Sequence, residues 1–595
     1  MVEWLQLSQN SGSGDTEVTI TASSNTELYE RITSLTVSGI TKSIDVLVEQ
    51  DWKDTRIQIT PTSYTFDTTG GTAEFTLECN TDWEITSKPA WLTLSTMSGS
   101  AGTYVITASA GTNTSGGILK GNIVASGLSA SASTYVKQMR DITVSDYLTF
   151  DILSDGLIFW ETYNTFTSAA PYIPIEYRIN GGEWTEIRAY GVKRAYSNNN
   201  FQVSKGDTVE FRGNYDLWDN TYGSSYAGTP CQFTLSTAHF DAYGNVMSII
   251  YKDDFSARTS FEWNYALESL FLNCNINEAY YLFLPATGIT QWCYYNMFKG
   301  SLLTVPMYEL PALTVPRRAY FSMFENCNYL KRAPHINATE LPDPQDYGEQ
   351  CLRMFAGCTT LQSTPYLHTT TLSTSCYEGM FSGCTSLAAV TELPATTLAY
   401  RCYANMFAGC KSLMSPPPLP ATNLDTFCYM GMFKGCSKLQ YAPALPATQL
   451  EGGEYEEMFM NCTNLIAAPE LSATTLSNAP YNDVPYYRRM FKGCTRLRTV
   501  PLIALQFDIP DSGMAHSYSM QEMFEGCTSL NYIKCLSNGS HVLGAYWFQD
   551  WIKGVGSSGT FVRAAGQDAE SFWTWLRQTG QYNSIPQGWT VIEDS

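Results

Sequence analysis

The chain has 595 residues, 44% of them hydrophobic and only 15% charged, with a formal net charge of −21. That length exceeds what one hydrophobic core can serve and the composition excludes disorder, so roughly three to five globular domains are expected. The acidic balance, with no lysine/arginine cluster to offset it, excludes a nucleic-acid partner, which would need a basic face.

At the amino end, "MVEWLQLSQN" has neither a basic start nor an apolar run, so no secretory signal is read there. No run of about 18 apolar residues occurs, which removes a helical membrane span. The chain then acts where it is made, joins a virion without export, or has lost an upstream signal. Tyr (38) and Trp (14) are abundant, a mixture that suits strands and aromatic-rich extracellular or virion surfaces.

Trp4-Leu5-Gln6-Leu7-Ser8 returns as Trp91-Leu92-Thr93-Leu94-Ser95, and Val48 and Gln50 return as Val136 and Gln138, so one module occurs twice. The first copy (1–53) lacks the counterpart of Ile59–Ile85; the second (54–140) is complete. Period-2 runs such as Ala73-Glu74-Phe75-Thr76-Leu77, entered through Gly70-Gly71, predict an antiparallel β-sandwich. The succession Trp83, Pro89-Ala90-Trp91-Leu92, Ser-Gly and a Val/Ile/Thr strand resembles the BACON domain. That is an immunoglobulin-like family common in Bacteroidales surface proteins and their phages. The resemblance implies either glycan or mucin contact or a spacer. Half a sandwich cannot bury its inner face. Residues 1–50 are therefore expected to be completed by upstream sequence or by a neighbouring subunit.

Residues 141–261 read as a further β-sandwich region. A hairpin spans Ile173–Ile187 around Asn180-Gly181-Gly182, where positive φ is inexpensive, and another strand runs through Gly206–Asn214.

From 262 to 540 a repeat dominates. Met-Phe pairs begin at Met297, Met323, Met354, Met380, Met406, Met432, Met458, Met490 and Met523, and Leu270-Phe271 is a degenerate copy. About ten units of 26–33 residues predict a stack of coils. In "LAYRCYANMFAGC", Cys402, Tyr403, Met406 and Phe407 would share an arc of about 140° on a helix, with Gly409 ending it. The proline-rich "KSLMSPPPLPAT" would be a short parallel strand. Together these give an α/β leucine-rich-repeat solenoid on the order of 50 Å long at about 4.8 Å per coil.

Two cysteine columns flank the Met-Phe pairs. One holds Cys274, Cys327, Cys358, Cys384, Cys410, Cys436, Cys462, Cys494 and Cys527; the other holds Cys293, Cys376, Cys402 and Cys428. Stacked copies point their Cβ atoms in parallel, whereas a disulfide needs converging ones, and no C-x-x-C pair with His offers a metal site. Buried packing is the expectation, with no cofactor and no metal. A Tyr column (Tyr294, Tyr320, Tyr377, Tyr403, Tyr429, Tyr455, Tyr487) is either an exposed binding stripe or interior packing.

The units "LPATTLxxxCYxxMFxGCxSL" resemble the BspA-like leucine-rich repeats of Bacteroidales surface proteins and gut phages. The tail 541–595, with Trp573, Trp575 and Trp589, looks like that family's closing cap. The resemblance implies adhesion or receptor recognition and no catalysis.

Catalytic signals are weak. His239, His335, His368, His516 and His541 are scattered, and neither G-x-S-x-G nor H-E-x-x-H occurs. Gly554–Gly559 fits G-x-G-x-x-G but precedes a strand, the wrong order for a dinucleotide loop. A glycosidase-type carboxylate pair is set by the fold and leaves no sequence signature.

Three long units carry insertions at one point of the repeat, which places them on one face, where repeat proteins bind partners. Their candidate residues are Asp343, Gln345 and Asp346; Tyr481, Asn482, Asp483 and Tyr486; and Asp511, His516 and Tyr518. Repeat drift without function is the competing account. The sequence thus suggests a non-enzymatic recognition protein in a larger assembly. A phage virion fibre, spike or capsid decoration would bind a bacterial-surface or mucosal protein or glycan. A Bacteroidales surface adhesin is the alternative, and a glycan-degrading enzyme the second.

Overall fold

The computed structural model describes residues 5–8, 11, 18–23, 31–38, 43–50, 55–115, 117–162, 173–191, 199–213, 231–234, 236–342, 348–476, 485–503, 519–536, 547–580 and 582–594. It is mostly β-structure, divided into Met1–Ile142 and Thr143–Ser595.

The first unit opens with strands β1 (Leu5–Leu7), β2 (Ile20–Ala22), β3 (Arg31–Ser38) and β4 (Ser43–Gln50). It continues with β5 (Ile57–Thr60), β6 (Ser63–Phe66), β7 (Gly71–Cys79), β8 (Trp83–Ser87) and β9 (Leu92–Leu94). Strands β10 (Ser98–Gly99), β11 (Gly102–Ala110), β12 (Leu119–Gly127) and β13 (Ala130–Gln138) complete it. From β5 onward they make two facing sheets, in orders β10-β8-β12-β13-β6 and β5-β7-β11-β9. Alternation turns Ala73, Phe75 and Leu77 inward against Trp83, Ile106, Ile123 and Val136, all buried. The β-sandwich expectation holds.

The first module repeats half of this pairing. Leu7 faces Ile20 as Leu94 faces Ala108, and Leu35 faces Val46 as Ile123 faces Thr134. Ala125 and Thr134 are 0% exposed, whereas their counterparts Val37 and Val46 are 65% and 39% exposed. Among the described residues, nothing takes the places of β5–β8 in that module.

In the second unit, β14 (Leu148–Ile152), β15 (Gly156–Phe159), β16 (Glu161–Thr162), β17 (Ile173–Ile179) and β18 (Thr185–Gly191) are followed by β19 (Asn200–Val203), β20 (Thr208–Gly213), β21 (Cys231–Gln232), β22 (Phe240–Asn245) and β23 (Leu282–Phe283). The hairpin turn lies where expected, with Asn180 and Gly181 at φ 52° and 72°. One eight-stranded sheet has the order β21-β16-β18-β17-β20-β14-β22-β23. Its last pair is parallel and belongs to the first coil of the repeats. Phe233 stacks on Phe271 at 5.9 Å, so this sheet closes the amino end of the stack.

The expected helix in each unit does not form. Arg401, Asn405 and Gly409 have φ of 54°, 54° and 76°, so every fourth residue is left-handed, which an α-helix cannot contain. Cys402, Ala404, Met406, Ala408 and Cys410 each donate their N–H three residues back, closing successive tight turns. The intervening Tyr403, Asn405, Phe407 and Gly409 donate sideways to Cys428, Met430, Met432 and Lys434 of the next coil, at 2.7–3.0 Å. Every amide of the segment is satisfied, half along the chain and half across coils. Among the described residues the α-helices are Ser248–Tyr251 and Gln567–Thr579.

On the other side of each coil the proline-rich segment pairs in parallel at single points, such as Thr371 with Thr397 and Thr397 with Asn423. Two-residue parallel ladders join Glu309–Leu310 to His335–Ile336 and Gln449–Leu450 to Thr475–Leu476. At the end, Thr499–Ile503, Tyr532–Cys535, Thr560–Arg563 and Thr590–Glu593 form a four-stranded parallel sheet. The coil pattern continues past 540: Phe524 donates its N–H to the Trp551 carbonyl, as Phe491 does to Met523, so Trp551 occupies the methionine slot. Trp573 stacks on Trp551 at 5.8 Å and Trp589 donates to the Gly556 carbonyl at 2.8 Å, closing the carboxyl end.

Candidate binding face on the coils

The columns that looked chemically active are interior. Ten phenylalanines from Phe271 to Phe524 stack with centroids 5.2–5.8 Å apart and planes within 16°. All seven tyrosines of the Tyr column are buried at 2% exposure or less, and Tyr377, Tyr403, Tyr429 and Tyr455 stack on one another. An exposed stripe at these positions is ruled out.

All 17 cysteines are free thiols, and all but Cys79 are buried. The nine of the first column share one contact: each thiol lies 3.0–3.2 Å from a phenylalanine carbonyl, that of Phe233 in the capping sheet for Cys274 and that of the preceding coil for the other eight. The Phe381 carbonyl thus accepts the Cys384 N–H of its own coil and the Cys410 S–H of the next. Burial pushes the thiols of Cys327, Cys384, Cys436 and Cys494 up to about 12, so they stay protonated and unreactive. Among the described residues no group of His, Cys, Asp and Glu is placed to hold a metal.

The second cysteine column is interrupted. Gln350, Glu454, Tyr486 and Ser519 hold the equivalent place, four residues before Met354, Met458, Met490 and Met523, and all are buried. Tyr486 was a candidate for the exposed binding face; it is in the core instead, because it fills this rung. The other nine candidates, Asp343, Gln345, Asp346, Tyr481, Asn482, Asp483, Asp511, His516 and Tyr518, lie outside the described residues. Glu454 accepts the N–H groups of Glu451 and Gly452, while its Oε2 is buried with no partner. Burial pushes its carboxyl up to about 7.

Charge runs along the turn face as ribs. Glu325 takes Lys299 at 2.9 Å and Arg353 at 2.6 Å, joining three coils, and Arg401–Glu378, Lys434–Glu457 and Lys492–Glu525 follow at 2.6–2.7 Å. Burial would raise Glu522, but hydrogen bonds from Arg489 and Lys492 outweigh it and bring the carboxyl down to about 2.

The exposed feature that sequence reading missed lies on the paired-segment side of the first four coils. Tyr280, Tyr308, His335 and Tyr366 come ten to twelve residues after Leu270, Met297, Met323 and Met354, so successive coils present them side by side. Ring centroids are 6.2 Å apart for Tyr280–Tyr308 and 5.0 Å for Tyr308–His335, and Tyr366 meets His368 at 4.6 Å. Tyr308 and Tyr366 are 57% and 51% exposed. The Arg332 guanidinium lies 4.9 Å from the Tyr280 ring. Their neighbours Leu310, Ile336 and Leu367 point inward and are buried. The available signal was faint, since Tyr and His share this slot and its spacing drifts.

In the complete sandwich, a cavity of about 280 Å³ is lined by Trp91, Gly111, Asn113, Ser115 and Gln138 among others. Its amides are largely turned to the protein: Asn113 donates to Gly117 and Met139 at 2.7 and 3.1 Å, and Gln138 donates to Gly111 at 2.5 Å.

Comparison with known families assigns the first unit. Residues 56–139 match the "Viral BACON domain" model, and residues 2–51 match the BACON model, described as "Putative binding domain, N-terminal". The protein bears BACON domains. No curated protein matches the chain. Among solved structures it is similar to a Bacteroides ovatus GH5 xyloglucanase in complex with a XXXG heptasaccharide. That match has 14% identity and a TM-score of 0.14, and covers 19% of this chain and 23% of the enzyme. So partial a likeness supports no inference about this chain. The BACON modules support a binding role in general terms. No helix among the described residues is long and apolar enough to cross a membrane.

Proposed function

We propose that this is a non-catalytic recognition protein in which BACON modules carry a BspA-like leucine-rich-repeat head. The head binds a bacterial-surface or mucosal protein or glycan. The observation that carries the reading is the strip of exposed Tyr308, His335 and Tyr366 beside the half-buried Tyr280, held on coils whose interior is locked by stacked rings and thiol–carbonyl contacts. A rigid support lowers the entropy lost when such side chains engage a partner.

The setting that fits best is a phage virion, with a Bacteroidales surface adhesin as the alternative. The open half-module supports an assembly role: Val37 and Val46 lie where the complete module has closed core positions, and a strand-bearing neighbouring subunit would cover them. Antibody to the coils should decorate intact phage particles in electron micrographs. Decoration of bacterial cells alone would favour the adhesin. The purified chain should also bind bacteria or mucin, and the double variant Tyr308→Ala/Tyr366→Ala should lose most of that binding. Unchanged binding by the variant would defeat the assignment to this face, and glycan release by the pure chain would defeat the non-catalytic reading.

A further inference from the structure

We infer that the strip on the first four coils is a site for an acidic saccharide, with pyranose faces on Tyr308 and Tyr366 and a carboxylate or sulfate on Arg332. This rests on the reading of that face as the recognition surface and adds the chemical class of its ligand.

Two observations carry it. The first is the kind of apolar surface on offer. The half-buried Tyr280 and the exposed Tyr308 and Tyr366 offer rings with hydroxyl tips, steeply inclined to their neighbours. His335 and His368 add polar rings, and the adjacent aliphatic Leu310, Ile336 and Leu367 are buried. A protein hot spot concentrates desolvated apolar anchors inside a water-excluding ring. An open row of amphipathic rings instead suits a ligand that has an apolar face and a hydroxylated rim.

The second is charge. In a chain of net charge −21, many cations elsewhere on the stack are tied to carboxylates, as Lys299 and Arg353 are to Glu325, Arg318 to Glu349, Arg401 to Glu378 and Lys434 to Glu457. Lys411, Lys438 and Arg498 are not so tied among the described residues, but lie away from the aromatic row. Arg332 and the adjacent exposed Lys331 have no carboxylate partner among the described residues, and Arg332 spans toward Tyr280 across the strip. Glu309, which accepts the Asn337 amide at 3.0 Å, and the exposed Glu392 in the next coil after Tyr366 are negative and bound the strip, so the anion is placed at Arg332 and Lys331. A guanidinium over a ring and without a carboxylate partner has N–H donors to offer a bidentate anion.

The test uses the full chain and polymer-displayed lactose, 3′-sialyllactose and 3′-sulfolactose. The sialylated or sulfated probe should bind about tenfold or more tightly than the neutral one, as expected for one charge-assisted contact. Arg332→Gln should erase that preference while neutral binding persists. Tyr308→Ala/Tyr366→Ala should remove both, and Trp91→Ala, in the sandwich cavity, should change neither. Melting curves confirm that each surface variant is folded. Equal binding of neutral and acidic probes, an intact preference in Arg332→Gln, or loss with Trp91→Ala would overturn the proposal. Should the chain bind cells through Tyr308 and Tyr366 but no glycan, a protein ligand is indicated; the acidic-saccharide inference then fails and the recognition reading survives. Failure to bind cells, mucin and glycans alike would sink both.

Discussion

The complete BACON module and the repeat stack bury their interiors by different means. In the sandwich, Phe75, Trp83 and Ile123 meet unlike neighbours from a facing sheet, so each core position is specific to its place. In the central coils a phenylalanine meets phenylalanines above and below, a tyrosine meets tyrosines, and a thiol meets the equivalent carbonyl in coil after coil. The lesson is that stack stability resides in like-on-like rungs, so a single odd rung is felt by two neighbours.

Removal of a central ring tests this most severely. Phe407→Ala deletes two stacking contacts and leaves a void, so the stack should lose about 3–5 kcal/mol in chemical denaturation while the sandwich's own transition stays put. A shift of both transitions together would show that the two regions do not melt independently.

The odd rung Glu454 gives the next effect. Its folded carboxyl titrates near 7 against an ordinary 4.5, so the folded state holds a proton that the unfolded state releases. Stability is therefore full below pH 4.5 and falls by about 3 kcal/mol as pH rises through 7. Glu454→Gln, which keeps the acceptor, should flatten that decline; a variant with the wild-type pH profile would show that Glu454 does not cause it.

A lesser loss is expected from Cys410→Ala. Without the thiol bond to Phe381 and the sulfur's volume, the stack should lose about 1–2 kcal/mol. Smallest is the ion-pair rib. Glu522, lowered to about 2, contributes above pH 4.5 and loses its contribution as pH falls toward 2. After discounting for solvent around Arg489 and Lys492, Glu522→Gln should cost about 1 kcal/mol at pH 7 and nothing near pH 2.

Much of this was legible in the sequence because a stack writes its period directly into the chain. The Met-Phe register, the cysteine columns as interior packing and the sandwich pattern around Ala73–Leu77 all follow from spacing. The helix did not follow, because an i, i+1, i+4, i+5 apolar pattern also fits turns that reset every four residues. The clue lay in the Asn and Gly at Asn405, Gly409, Gly431 and Gly435, residues that tolerate positive φ. The search for a binding face was drawn to the insertions, where Tyr486 proved to be an interior rung. The aromatic strip escaped notice because exposure is set by which way each extended segment turns, and His335 interrupts the tyrosines at 280, 308 and 366.

Thiol labelling addresses the stacking claim head-on. Native protein treated with a small maleimide should react quickly at Cys79 alone, the half-buried thiol, and all 17 cysteines should react once the chain is unfolded. Rapid labelling of several column cysteines in the native state, or fewer than 17 free thiols after unfolding without reductant, would contradict the account.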